Sequence, residues 1–184
     1  MSAAFLRVVE SPEFKTTPLA DDAKERLKTH ATIIATLAME VQFALASADD
    51  EHETSEQRAT RQPRVERFYA EGKALLDDLS SVGYVAASHH VMETLVEFID
   101  LDPRGTFLRI KALLTSACRT AYQQEHEAMR LFVRIVERYL ADYRDLIEHD
   151  EECRDAMVTM LDLFIEAGWP PALRIALRLG DLFR

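Results

Sequence analysis

The stretch EHEAMRLFVRIVERYLADYRDLIEH, residues 125–149, decides the fold class of this chain. Its apolar residues recur at steps of three and four, the spacing that places side chains on one face of an α-helix. They are Met129, Phe132, Val133, Val136, Tyr139, Leu140, Tyr143, Leu146 and Ile147. The pattern predicts one continuous amphipathic helix from about Tyr122 to His149, about 40 Å long at 1.5 Å per residue.

The same spacing continues on both sides of this stretch and predicts an all-α protein of antiparallel helical hairpins. About seven helices are expected, over approximately 21–48, 63–82, 85–99, 103–118, 122–149, 150–167 and 171–183. Pro63, Pro103 and Pro171 each suit the first turn of a helix, where a missing N–H costs little. Gly168 suits the left-handed position that follows a helix.

A polar, acidic segment, Ser47–Gln62, separates the first two predicted helices. It is longer than an ordinary helix connection, which predicts an exposed, mobile loop. We therefore divide the chain into residues 1–62, an N-terminal arm, long helix and acidic loop, and residues 63–184, an array of helical hairpins. Residues 63–184 are expected to form one continuous structural unit.

Composition favours a cytoplasmic protein whose partner is another protein or a second copy of itself. The net charge of −10 opposes binding to nucleic acid and to anionic membrane surfaces. Cys118 and Cys153 have no metal-binding spacing and fit free thiols. The N-terminus lacks the pattern of a signal peptide, and no apolar run is long enough to span a membrane.

No pattern in the sequence predicts catalysis, a cofactor or a metal site. His89 and Glu93 lie four residues apart on one predicted helical face and could share a metal ion or a proton. A metal would need two more ligands, so edge histidines are the favoured interpretation. The five glycines never cluster into a phosphate-binding loop.

Arg130, Arg134 and Arg138 step by four along the predicted fifth helix. Such a stripe could hold phosphates or an acidic partner. Acidic residues at pairing distance favour a solvent-exposed face of ion pairs instead. The complete set of interaction candidates is Arg130, Arg134, Arg138, Trp169, Leu177 and Phe183.

The predicted hairpins of about 35 to 45 residues have the length of two-helix repeats. With the helix starts at Asp102-Pro103 and Trp169-Pro170-Pro171, the second half of the chain resembles HEAT or armadillo repeats. The segments DPRGTFLRI (102–110) and LFVRIVERYL (131–140) look like helical-repeat regions of large bacterial multidomain proteins. That resemblance implies a scaffold or sensor and no site residue.

Three functions follow as hypotheses. The first is a non-enzymatic scaffold or adaptor for protein–protein interaction. The second is a regulatory or sensor subunit of a bacterial NTPase-containing assembly in stress or phage defence. The third is a ligand-binding helical bundle.

Overall fold

The computed structural model describes residues 21–45, 54–81, 85–116 and 126–182, and it confirms an all-α fold. These ranges contain eight helices and no strand. The helices are α1 (Asp21–Leu45), α2 (Ser55–Ser80), α3 (Val85–Val96), α4 (Pro103–Ser116), α5 (His126–Asp142), α6 (Arg144–His149), α7 (Glu151–Glu166) and α8 (Pro170–Leu182). Their stacking as a repeat array stays a prediction.

Helix α2 begins earlier than the sequence pattern indicated, so the prediction of a loop reaching Gln62 is wrong. Thr54 caps the helix: its side chain accepts a hydrogen bond from the backbone N–H of Gln57, and the Gln57 side chain accepts one from the backbone of Thr54. This reciprocal cap satisfies two N–H groups that the first turn leaves free. Pro63 consequently lies inside α2 and does not start it. The proposed division of the chain after residue 62 falls within α2 and stays a prediction.

The predicted helix from Tyr122 to His149 is interrupted, and the expectation of one continuous helix is wrong. Tyr143 has a non-helical backbone (φ −128°, ψ 32°) and separates α5 from α6. Its hydroxyl donates a 2.6 Å hydrogen bond to Asp100, and Ile147 beyond the break is fully buried. The steps of three and four run through the break because α6 resumes after only one residue, so periodicity alone does not reveal it.

The core is built around α3, which packs against α1, α2, α4 and α5. On the other side, α7 packs against α4, α6 and α8. Two aromatic pairs join these layers, each with ring centroids 4.4 Å apart: Phe107 of α4 with Tyr139 of α5, and Phe132 of α5 with Phe164 of α7. One side of helix α5 is therefore buried against both layers, and its other side is exposed.

None of the helices in the described ranges combines the length and apolar character needed to cross a membrane.

Candidate functional site

The turn between α7 and α8 fixes the position of Trp169. Gly168 has a positive φ of 82°, and its N–H donates to the carbonyl of Ile165, while the N–H of Trp169 donates to the carbonyl of Phe164. These two bonds form a Schellman motif, which ends a helix with glycine in the left-handed region. The indole also packs near the Phe164 ring, with centroids 6.3 Å apart. The expected role of Gly168 after the helix is thus confirmed.

Trp169 lies at the end of an open groove of about 650 Å³ between α5 and α8. We call this the arginine groove. Its lining residues are Glu127, Arg130, Val133, Arg134, Trp169, Pro171 and Arg174. The structure therefore brings together three of the sequence candidates, Arg130, Arg134 and Trp169, and adds Arg174 from the last helix.

Positive charge dominates the arginine groove. Glu127 is its single carboxylate, and this group pairs with Arg130 at 3.3 Å while both side chains remain mostly exposed. An exposed pair of this kind contributes little to stability and separates easily. Arg134 and Arg174 form no ion pair with any residue that the structure describes. Two guanidinium groups are therefore available to an anionic ligand.

Arg138 does not join the arginine groove. Its guanidinium contacts Asp100 at 2.5 Å and Asp142 at 3.8 Å. It lines a neighbouring groove of about 300 Å³ together with Glu93 and Glu97. Arg134 lines both grooves and so lies on the ridge between them. The predicted pairing of the arginine stripe with acidic neighbours thus holds for Arg130 and Arg138 and not for Arg134.

Helix α8 presents apolar side chains on its outer face. Ala172, Ile175 and Leu179 are buried against the core. Leu177 is 67% exposed and Leu173 is 49% exposed. Leu177 is therefore accessible, and its role in an interaction stays a prediction, whereas Phe183 lies outside the described residues.

A polar network around the buried Arg109 joins α2 to the start of α4, and no local sequence pattern predicts it. Arg109 is only 8% exposed and donates to Asp77 at 2.7 Å and to the Tyr69 hydroxyl at 3.2 Å. Tyr69 in turn donates to Asp102, whose other carboxylate oxygen accepts the N–H of Gly105 at 2.8 Å. Asp102 is thus both the cap of α4 and the centre of the network.

The charge of Asp102 is stabilised by these contacts. Burial alone would raise the pKa of its carboxyl. Hydrogen bonds from Tyr69 and Gly105 and the positive charge of Arg109 outweigh burial and hold that pKa below its usual value. The polar side chains of this network bind one another, so the network connects α2 to α4 structurally.

Cys153 is a free thiol that lies in the core. Its side chain is fully buried, and burial together with the nearby Asp150 raises the pKa of its thiol to about 12. Asp150 caps α7 by accepting the N–H of Cys153 and also pairs with Arg104 of α4 at 2.8 Å. A thiol with so high a pKa is a poor nucleophile at neutral pH.

Both histidines of the pair His89-His90 on α3 lie beside the carboxylate of Glu93. His89 Nε2 lies 3.2 Å from one oxygen of Glu93, and His90 Nδ1 lies 3.5 Å from the other. The four-residue spacing predicted that His89 and Glu93 share a helical face, and the structure places them together. His90 reaches the same carboxylate through its three-residue spacing.

Comparisons with protein-family models, with curated proteins and with solved structures found no match to this chain.

Proposed function

We propose that this chain is a non-enzymatic helical adaptor that binds an acidic segment of a protein partner in the arginine groove. The observation that carries this proposal is the lining of the groove, which combines Trp169 with three arginines and one weakly paired carboxylate. This local positive charge stands in a chain whose net charge is −10.

The chemistry of the groove suits carboxylates. A guanidinium is planar and offers paired N–H donors that match the two oxygens of Asp or Glu. Arg134 and Arg174 approach from different helices, so an extended or helical segment between α5 and α8 would meet both. Trp169 adds an apolar surface, and arginine and tryptophan are enriched among residues that dominate binding at protein interfaces.

The neighbouring surface favours a protein over a nucleic acid. Leu173 and Leu177 lie exposed on the outer face of α8; Leu173 directly precedes Arg174, and Leu177 follows it by three residues. A partner with alternating acidic and apolar side chains would meet both features. A long polyanion would instead experience the repulsion of the acidic remainder of the chain.

Trp169 is the single tryptophan of the chain, so its fluorescence reports on this groove. The test is a titration with a short synthetic peptide. The peptide consists of glutamate residues interrupted by leucines that recur at alternating spacings of three and four positions. An otherwise identical lysine peptide is the first control. We expect the acidic peptide alone to change Trp169 emission, with an affinity that falls as salt is raised.

Charge reversal identifies the groove as the binding site. The variant carrying Arg134→Glu and Arg174→Glu should bind the acidic peptide at least about tenfold more weakly, a change of about 1.4 kcal/mol. Arg64→Glu, an exposed arginine of α2, is the matched control and should bind normally. Equal binding by all three proteins, or tighter binding of a short single-stranded nucleic acid than of the peptide, would contradict the proposal. Light scattering tells whether a second copy of the chain acts as the partner.

A further inference from the structure

Helix α3 is buried along most of its surface, with one partly open polar strip. Ala87, Ser88, Val91, Met92, Thr94 and Leu95 are buried. His89, His90 and Glu93 lie on the open strip, with side chains 24%, 32% and 28% exposed. Three side chains that can bind metals are thus held on the most enclosed helix of the described core.

The distances between these groups suit a tetrahedral metal ion. Zn²⁺ binds nitrogen and oxygen ligands at about 2.0–2.1 Å, which separates two ligand atoms by about 3.3 Å in a tetrahedral site. Each histidine lies close to that distance from Glu93, although from a different carboxylate oxygen: His89 Nε2 is 3.2 Å from one oxygen and His90 Nδ1 is 3.5 Å from the other. The three ligand atoms all lie within 4.8 Å of one another, so a modest ring rotation brings the two imidazoles to the same ion.

Each of the two rings has one nitrogen without a protein partner in the part of the chain that the structure describes. The Nδ1 atoms of His89 and His90 are both buried, and neither has a hydrogen-bond partner among the residues that the structure describes. Buried polar atoms without a partner carry a desolvation cost. For His90 the unpartnered atom is the one that lies nearest Glu93, where an ion would be coordinated.

The backbone that carries the cluster is firmly positioned. Thr94, one residue beyond Glu93, is fully buried, and its hydroxyl lies 2.8 Å from the carbonyl oxygen of Ala38 in α1. Glu93 also lines the groove of about 300 Å³ beside α5, together with Gln42 of α1. That groove gives a solvent route to the carboxylate side of the cluster.

We propose that His89, His90 and Glu93 form a binding site for a divalent transition-metal ion, with Zn²⁺ as the best match. His89 Nε2, His90 Nδ1 and a Glu93 oxygen are the protein ligands, and water completes the coordination. Two imidazoles and one carboxylate favour such ions over Mg²⁺ and Ca²⁺, which prefer oxygen ligands alone. The proposal is independent of the arginine groove.

Calorimetric titration of the purified protein with Zn²⁺ tests the site directly. The wild-type protein should bind one equivalent that Mg²⁺ does not displace. His89→Gln and Glu93→Gln should each weaken that binding by at least about tenfold, since even the loss of an outer-shell partner costs about 10–100-fold. His149→Gln is the matched control, because His149 belongs to a separate cluster with Asp145 and Glu148 on α6, whose ligand atoms also lie close together. This control should leave the titration unchanged.

A second measurement uses the unaltered chain and so does not depend on the folding of variants. Histidine side-chain NMR signals of His89 and His90 should shift together on addition of Zn²⁺, and those of His149 should not. Co²⁺ should give the visible spectrum of a site with nitrogen and oxygen ligands and no thiolate charge-transfer band. Absence of a one-equivalent site, an equal loss in His149→Gln, or a thiolate band would overturn the proposal.

Discussion

Replacing Asp102 by alanine removes the centre of the network between α2 and α4. The carboxylate caps α4 through the N–H of Gly105 and accepts the hydroxyl of Tyr69. It also lies 3.5 Å from Arg109, whose side chain is only 9% exposed. The substitution therefore removes a helix cap and a hydrogen bond to a charged group. It also removes one of the two carboxylates that lie beside the buried guanidinium of Arg109.

The expected loss follows from these contacts. A helix cap contributes about 1 kcal/mol, and a hydrogen bond to a charged group contributes about 1.5–3 kcal/mol. Arg109 keeps its 2.7 Å contact with Asp77, so we assign little further cost to it. The free energy of unfolding should fall by about 3 kcal/mol, which lowers Tm by about 6–12 °C in a chain of this size.

Urea unfolding followed by both circular dichroism and Trp169 fluorescence measures this loss. Asp162→Ala, an exposed residue of α7, is the control and should change stability by less than about 0.5 kcal/mol. A loss below about 1 kcal/mol for Asp102→Ala would refute the assignment of Asp102 as the centre of the network.

The pH dependence of this loss has a defined sign. The pKa of Asp102 is lower in the folded protein than its ordinary value of 3.8. Its contribution is therefore fully present above about pH 4 and is lost as the pH falls through the folded pKa. The difference in stability between the wild type and Asp102→Ala should shrink below about pH 4. A difference that stays constant into strong acid would contradict this assignment.

Three further substitutions or reactions test other parts of the structure. Gly105→Ala would place a Cβ 2.7 Å from the Asp102 carboxyl carbon and should cost about 1–3 kcal/mol. In the Asp102→Ala background the same change should instead stabilise the helix by about 0.5–1 kcal/mol, as denaturant titration of the double variant would show. Gly168→Ala forces a side chain into a φ of 82° and should cost about 1–2 kcal/mol, measured by thermal unfolding. In a Cys118→Ser protein, Cys153 should not react with a thiol reagent until denaturant is added, because it is buried and its thiol pKa is raised to about 12.

The fold class and most helix positions follow from hydrophobic spacing alone. The start of α4 at Asp102-Pro103 and the end of α7 at Gly168 were also predictable, since caps and turns have local sequence signals. The polar first turns of α2 were not predictable from the sequence. Residues 55–62 contain no apolar stripe, and their helical structure depends on the cap at Thr54. The break at Tyr143 escaped prediction since the apolar pattern resumes in α6 after a single residue.

The candidate sites were predictable only in part. Arg130 and Arg134 share a helical face by spacing, but their proximity to Trp169 and Arg174 depends on how α8 packs beside α5. The network of Tyr69, Asp77 and Arg109 joins residues more than thirty positions apart, which no local pattern can reveal.

The most direct test of the proposed function is a charge exchange across the arginine groove. Wild-type protein and the Arg134→Glu, Arg174→Glu variant are each titrated with the acidic and the lysine peptide, and Trp169 emission is recorded. If the groove binds through its guanidinium groups, the wild type prefers the acidic peptide and the variant loses or inverts that preference. An unchanged preference in the variant would show that peptide binding does not depend on these arginines, and it would contradict the proposal.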